Sequence, residues 1–203
     1  CIDYRALNKK VKADSWTLPN VEESMSSLHG NSWFTSLDMK EAFWSVPLDD
    51  ESKQYTAFQT PDGLMQYRRM PMGLKTASAV FCRYVDRMLG SMKWTNVLAY
   101  VDDLLVFRKT FDEHIGCIDQ LLSRLSKYNM TLGAKKCHFF ATSVGFLGHI
   151  VDRNGIRPDP SKTKAIEAIQ LPTCVKEMQS ALGLMQYYRK FVPGFSKVSA
   201  PLR

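Results

Sequence analysis

Three carboxylates stand where a fold has to find a use for them. Asp102 and Asp103 interrupt an otherwise apolar run, with Val97-Leu98-Ala99-Tyr100-Val101 before them and Leu104-Leu105-Val106-Phe107 after. Burying unpaired carboxylates between strands is costly, so a sequence keeps them there for a reason. Asp38 ends a second β-prone stretch, Trp33-Phe34-Thr35-Ser36-Leu37. Carboxylates gathered at neighbouring strand ends repel one another unless a cation sits among them. Hard oxygen donors of this kind favour Mg²⁺, which keeps waters and takes substrate phosphates as further ligands. Two such ions about 4 Å apart activate a 3′-hydroxyl and stabilise a leaving pyrophosphate in an in-line displacement. The plainer alternative is an acidic hairpin turn, since Asp is a favoured turn residue.

The elements that must position these acids read as follows. Asn20 with Glu23, closed by Gly30, predicts a short helix over 20–29. Gln54 to Thr60 and Leu64 to Met70 are two strand candidates joined by the turn Pro61-Asp62-Gly63. Val80, Phe81, Tyr84, Val85, Met88 and Leu89 repeat with helical period up to Gly90. The two apolar runs around Asp102-Asp103 predict a tight hairpin with the carboxylates at its tip. Ile115, Ile118, Leu121, Leu122 and Leu125 mark one face of a helix over 111–128. Val144 to Val151 and Ile156-Arg157 flank Asp152-Arg153-Asn154-Gly155, whose Asn-Gly signals a hairpin. From Ser161 the pattern is helical, broken at Pro172 and resumed through Val175, Met178, Leu182 and Met185. The expected class is α+β followed by a small helical subdomain.

With 45% hydrophobic and 23% charged residues among 203, disorder and fibrous repeats are excluded. No apolar run approaches the ~18 residues of a membrane helix. The chain opens Cys1-Ile2-Asp3 with no signal or transit pattern and reads as a piece of a longer protein. Its net charge of +7 is uneven: residues 1–103 carry 12 basic and 13 acidic side chains, residues 104–203 carry 15 and 7. An anionic partner on the C-terminal half is one reading, a plain basic surface the other. The five cysteines and four histidines lack metal-type spacing, and the odd cysteine count suits a reduced, intracellular protein.

Tyr100-Val101-Asp102-Asp103 resembles the tetrapeptide of reverse transcriptases, and further segments agree in order. Leu37-Asp38-Met39-Lys40-Glu41-Ala42-Phe43 resembles the first carboxylate motif, and Met70-Pro71-Met72-Gly73-Leu74-Lys75 the segment lining the nucleotide and template site. Phe146-Leu147-Gly148-His149 resembles the primer grip. Gly155 to Pro160, Leu182-Gly183-Leu184 and Tyr187-Tyr188-Arg189-Lys190-Phe191 resemble the thumb entry and thumb of gypsy-class LTR retrotransposons. Seven motifs in sequence identify a partial reverse transcriptase domain of a gypsy-class (Metaviridae-like) Pol polyprotein. The resemblance implies a right-hand polymerase with a ferredoxin-like palm at 13–45 and 77–156. Fingers would fall at 1–12 and 46–76, and the start of a helical thumb at 157–203. It implies RNA- and DNA-templated DNA synthesis, with Asp38, Asp102 and Asp103 as the catalytic and metal-binding residues for two Mg²⁺, or Mn²⁺ in their place.

By the same resemblance Phe43 lies beneath the incoming sugar, where a ring selects deoxynucleotides, and Met72, Tyr100 and Val101 border the substrate. The primer grip is Phe146, Leu147, Gly148 and His149. Met72 stands where retroviral relatives carry Gln, so a hydrogen bond made there is missing. Lys135 and Lys136 match the region where polymerases place a proton donor for pyrophosphate; both also read as solvated surface lysines. The backbone of 39–42 is available to triphosphate oxygens. Implied partners are an RNA or DNA template with primer, dNTPs, and flanking protease, ribonuclease H and integrase domains. No membrane partner is implied. The setting would be intracellular and cytoplasmic, including virus-like particles. Fingers strands expected before Cys1 would grip the triphosphate, so residues 1–203 alone are expected to polymerise poorly. Rival readings are a nucleic-acid-binding relic of such an element and another two-metal palm enzyme such as a nucleotide cyclase.

Overall fold

The structure, a computed structural model, describes residues 2–14, 16, 25 and 27–202. In chain order come α1 (Arg5–Lys10), β1 (Trp33–Lys40), α2 (Asp50–Lys53), the hairpin β2 (Phe58–Thr60) and β3 (Gly63–Met65), and α3 (Ala77–Leu89). The hairpin β4 (Val97–Tyr100) and β5 (Asp103–Arg108) leads into α4 (Phe111–Lys127), followed by β6 (Thr131–Leu132) and β7 (His138–Ala141). A second sheet is built from β8 (Ser143–Phe146), β9 (His149–Asp152) and β10 (Gly155–Pro158). Helices α5 (Pro160–Glu167), α6 (Val175–Tyr187) and α7 (Phe195–Ser199) follow. The class is α+β, as the pattern predicts.

The first sheet runs β4-β5-β1-β6, with β7 also paired to β1. Side chains on a strand alternate between faces, and β1 uses both. Leu37 and Met39 join Val97, Leu104 and Val106 on the face covered by α3 and α4, through Phe81, Val85, Met88, Leu89, Ile118 and Leu121. Phe34 goes the other way, with Leu98, Leu105 and Phe107, to meet Val144, Phe146 and Val151 of the second sheet. Truncating a fully buried ring such as Phe34 to Ala costs about 3–5 kcal/mol. By the same alternation Asp38 and Asp103 lie on the Phe34 face, where the sheet runs out beyond its cover.

Local chemistry explains the helix ends. Thr110 caps α4 by accepting from the Glu113 N–H at 3.4 Å, with Asp112 and Glu113 in the first turn and Arg124 and Lys127 in the last. Gly90, at φ 51°, ends α3.

The helix expected over 20–29 falls largely outside the described residues. Three expectations need correction. The strands expected over 54–60 and 64–70 are only three residues each. Gln54–Thr56 is a 3-10 turn instead, its Thr56 hydroxyl donating to Lys53 O and accepting from Tyr67 N–H. The buried face of α4 is His114, Cys117, Ile118, Leu121 and Leu125, while Ile115 and Leu122 are exposed. His114 enters the core because its Nε2 bonds Thr35 Oγ1 at 2.8 Å. Val144 to Val151 is two strands, reversed at Leu147-Gly148, while the hairpin expected at Asp152 to Gly155 is present, with Gly155 paired to Asp152 and Arg153-Asn154 between them.

Candidate active site

Strand pairing brings the acids together. β1 and β5 run antiparallel with Asp38 opposite Asp103, and β4 pairs Tyr100 with Asp103, so the hairpin turn itself is Val101-Asp102. The turn thus sits one residue earlier than Asp102-Asp103. Val101 adopts φ 51°, a left-handed conformation that a β-branched residue takes only under constraint. One such constraint is visible: Met39 N–H donates to Asp102 O at 2.9 Å, tying the turn to β1.

Asp102 Oδ1 is buried without a hydrogen-bond partner. Burial pushes the Asp102 carboxyl above the usual range, and the charges of Asp103 and Asp38 add to it while Lys136 opposes. Crowding by neighbouring atoms, then Asp38, pushes Asp103 the same way. Lys136 Nζ lies 3.3 and 3.2 Å from the two Asp38 carboxylate oxygens. The short 3-10 turn Ala134–Lys136 holds it there, anchored by Gly133 N–H on Asp38 O at 2.9 Å. A cavity of about 600 Å³ opens between Asp38, Asp102, the 39–41 backbone and Gly133 to Lys136.

Hard oxygen donors, an orphaned buried oxygen and mutual repulsion are what a divalent cation relieves, so these aspartates fit Mg²⁺. Among the described residues no three His, Cys, Asp or Glu side chains converge on one point. Mg²⁺ commonly takes only one or two protein carboxylates, with waters and substrate phosphates completing its shell.

The other sequence-derived candidates fall into three groups. Phe43 is half-buried on the 3-10 turn after β1, its ring 5.2 Å from Phe81. That turn begins at Glu41, another left-handed residue at φ 51°. Tyr100 is half-buried against the second core cluster, Val101 is partly exposed, and Met72 is 56% exposed. In the third group Phe146 and His149 are buried core residues, leaving the partly exposed Leu147-Gly148 turn as the accessible part of that segment. Of the two lysines only Lys136 reaches an aspartate. Gly133 carries no sequence signal, since a lone Gly makes no motif. A Cβ there would stand 3.5 Å from Asp38 Oδ1.

The reverse transcriptase (RNA-dependent DNA polymerase) family pattern matches residues 1–151. The chain belongs to that family. The retrovirus-related Pol polyprotein from transposon 297 of Drosophila melanogaster is 38% identical over 99% of this chain, and that from transposon gypsy 34% identical over 99%. The chain spans about a fifth of the length of these relatives, 19% in each case. A foamy viral protease-reverse transcriptase in complex with double-stranded DNA matches 98% of this chain at TM-score 0.89 and 28% identity, over 35% of its own length. The same viral protein with an RNA/DNA hybrid matches 98% at TM-score 0.83 and 28% identity, over 27% of its length. The chain is therefore a reverse transcriptase domain of the gypsy-type retrotransposon Pol kind, and its sheet and helices follow the reverse transcriptase fold. Divalent-metal dependence is general to the family. Among the described residues of this reverse transcriptase domain, no helix is long and apolar enough to cross a membrane.

Proposed function

We propose that this reverse transcriptase domain synthesises DNA on RNA and DNA templates, joining a dNTP to a primer 3′-hydroxyl. The observation that carries the reading is the pairing of Asp38 with Asp103, with the orphaned Asp102 oxygen at the adjoining turn. Asp38, Asp102 and Asp103 would hold two Mg²⁺, or Mn²⁺, which when bound supply activation of the hydroxyl and neutralisation of the departing pyrophosphate. Lys136, on the cavity wall, donates a proton to pyrophosphate. Phe43 closes the space beside the sugar 2′ position, Met72 borders nucleotide and template, and the Leu147-Gly148 turn faces the primer. Tyr100 and Val101 shape the floor under the primer end.

Supporting the template–primer partner is the basic second half, since sequence-independent duplex binding runs through phosphates. Residues 1–12 and 46–76 act as fingers, 13–45 and 77–156 as palm, and 157–203 as the start of the thumb. The same reading places protease, ribonuclease H and integrase domains in one polyprotein with it, at work in the cytoplasm or in virus-like particles.

Primer extension on matched RNA and DNA templates, with the domain in its full polyprotein context, tests this. Asp38→Asn and Asp102→Asn should each abolish extension while the circular dichroism spectrum stays that of the parent. Extension by either variant at the parental rate would overturn the assignment.

A further inference from the structure

The turn assigned to the primer is held from the helical end of the chain by two consecutive hydroxyls. β8 and β9 pair Phe146 with His149, leaving Leu147-Gly148 as a two-residue turn at φ 47° and 70°. Both central residues are left-handed, the geometry of a tight hairpin turn in which Leu is a poor first residue. Such a turn has two outward carbonyls, and both are engaged. Leu147 O accepts from Tyr187 Oη at 2.7 Å and sits 2.8 Å from His149 Nδ1. Gly148 O accepts from Tyr188 Oη at 3.0 Å and from Asp159 N–H at 3.1 Å.

Sequence and packing make this arrangement specific. Tyr187 is the last residue of α6 and Tyr188 its C-cap, so one helix end supplies both donors. A Cβ on Gly148 would stand 2.9 Å from Tyr188 Oη, so glycine is required on two counts, its positive φ and this approach. The buried His149 ring packs on Tyr187, Tyr188 and Phe191 with centroids 5.4, 5.5 and 5.6 Å away. Tyr187 also lies within electrostatic reach of Tyr100 on the hairpin that carries Asp102.

We infer that Tyr187 and Tyr188 are positioning residues for the primer end: by holding the Leu147 and Gly148 carbonyls they set the attitude of the primer-facing turn and tie it to the placement of the helical segment. The inference rests on the proposed primer role of that turn. Neither tyrosine is required to touch a nucleotide. Their effect passes through two backbone carbonyls.

The experiment is single-turnover extension from a preformed primer–template complex, with the domain in its full polyprotein context, comparing Tyr187→Phe, Tyr188→Phe and Phe191→Leu. Each Tyr→Phe change keeps the ring and removes one hydrogen bond. Each should slow insertion at saturating dNTP by about fivefold, the factor one net hydrogen bond carries, and shorten the products made per binding event. The dNTP concentration for half-maximal rate should stay unchanged. Phe191→Leu loosens the same cluster without touching a carbonyl, and should lower the melting temperature with the insertion rate preserved. A kinetic signature for Phe191→Leu equal to that of the tyrosine variants would make packing the cause and overturn the inference. So would parental rates and product lengths in both tyrosine variants. Should Tyr188→Phe fail to fold, Tyr187→Phe decides, since Tyr187 is 43% exposed and bears less of the packing. Failure of the parent itself to extend a primer would instead refute the proposed function.

Discussion

Lys136 Nζ lies 3.2 Å from Asp38 Oδ2, yet the lysine is 77% exposed and the aspartate 21%. A pair so open stabilises a fold very little. Under the proposed function its part is in the reaction, and that part is separable from stability. Lys136→Gln should leave the melting temperature unchanged and slow extension by about a hundredfold, the lower end for loss of a positioned proton donor. Removing the ammonium also frees the Asp38 carboxylate, so half-maximal activity should need less Mg²⁺. Lys135→Gln, whose side chain makes no such contact, should stay near the parental rate. The reverse order of the two variants would reassign the donor.

Asp102→Asn should separate stability from activity. The Asp102 carboxyl is raised by burial, then by Asp103 and Asp38, so the folded state favours its protonated form. A raised carboxyl contributes stability at pH values below its unfolded pKa and loses it as pH climbs through the folded one. At neutral pH the charge is thus a cost in the metal-free protein, and the amide removes it. The variant should melt roughly 2–4 °C higher in EDTA, the shift about 1 kcal/mol produces in a domain of this size, and should lose most of the stabilisation that added Mg²⁺ gives the parent. A lower melting temperature in EDTA would mean the carboxylate is structural.

How much of this was legible in the sequence depends on the range of the interaction. The β4–β5 hairpin announced itself because two apolar runs enclose two acids, and the β-prone stretch running into Asp38 put a third acid on a neighbouring strand. The register of Asp38 opposite Asp103, with β1 running on to Lys40, was not readable. Nor was the exact turn, because Val101 at φ 51° is forced by the Met39 to Asp102 hydrogen bond from another strand. On the α4 face His114 and Cys117 replace the expected Ile115 and Leu122 for a similar reason, since the Thr35 bond that buries His114 comes from 79 residues away. Gly133 was invisible for want of any local pattern, and its neighbour Asp38 lies far off in the chain. Short-range patterning was readable, and long-range polar contacts were not.

Acid should weaken the fold through its buried histidines. His114 is pushed below the ordinary value by burial and then by Arg108, and His149 by burial and by Lys190, against a raising hydrogen bond to Leu147 O. A histidine with a lowered folded pKa contributes stability in full above its unfolded value, about 6.5, and loses it as pH falls toward the folded one. The loss for each runs at up to about 1.4 kcal/mol per pH unit in that window. Melting curves between about pH 7 and 5 should therefore fall, and His149→Phe, which keeps a ring against Tyr187, Tyr188 and Phe191, should fall less steeply. Parallel slopes for parent and variant would show that His149 takes up its proton equally in the folded and unfolded states, and would refute its part in the acid loss.

Phe43 offers the sharpest test of substrate choice. Its ring packs on Phe81 at 5.2 Å but stays half-exposed, on the 3-10 turn that leads away from Asp38. The proposed function puts this ring beside the sugar of a nucleotide at the aspartates, where its volume would exclude a 2′-hydroxyl. Phe43→Val shortens the side chain and should lower the preference for dNTP over rNTP by at least about tenfold, a factor that needs only ~1.4 kcal/mol. Phe43→Tyr retains the ring and should retain the preference. Because shortening Phe43 also thins the contact with Phe81, Phe81→Leu serves as the packing control. It should lower the melting temperature while leaving the sugar preference within about twofold, less than the ~1.4 kcal/mol of a tenfold change. Unchanged discrimination in Phe43→Val, measured as the ratio of the two nucleotides' kcat/KM, would move the gate to another residue.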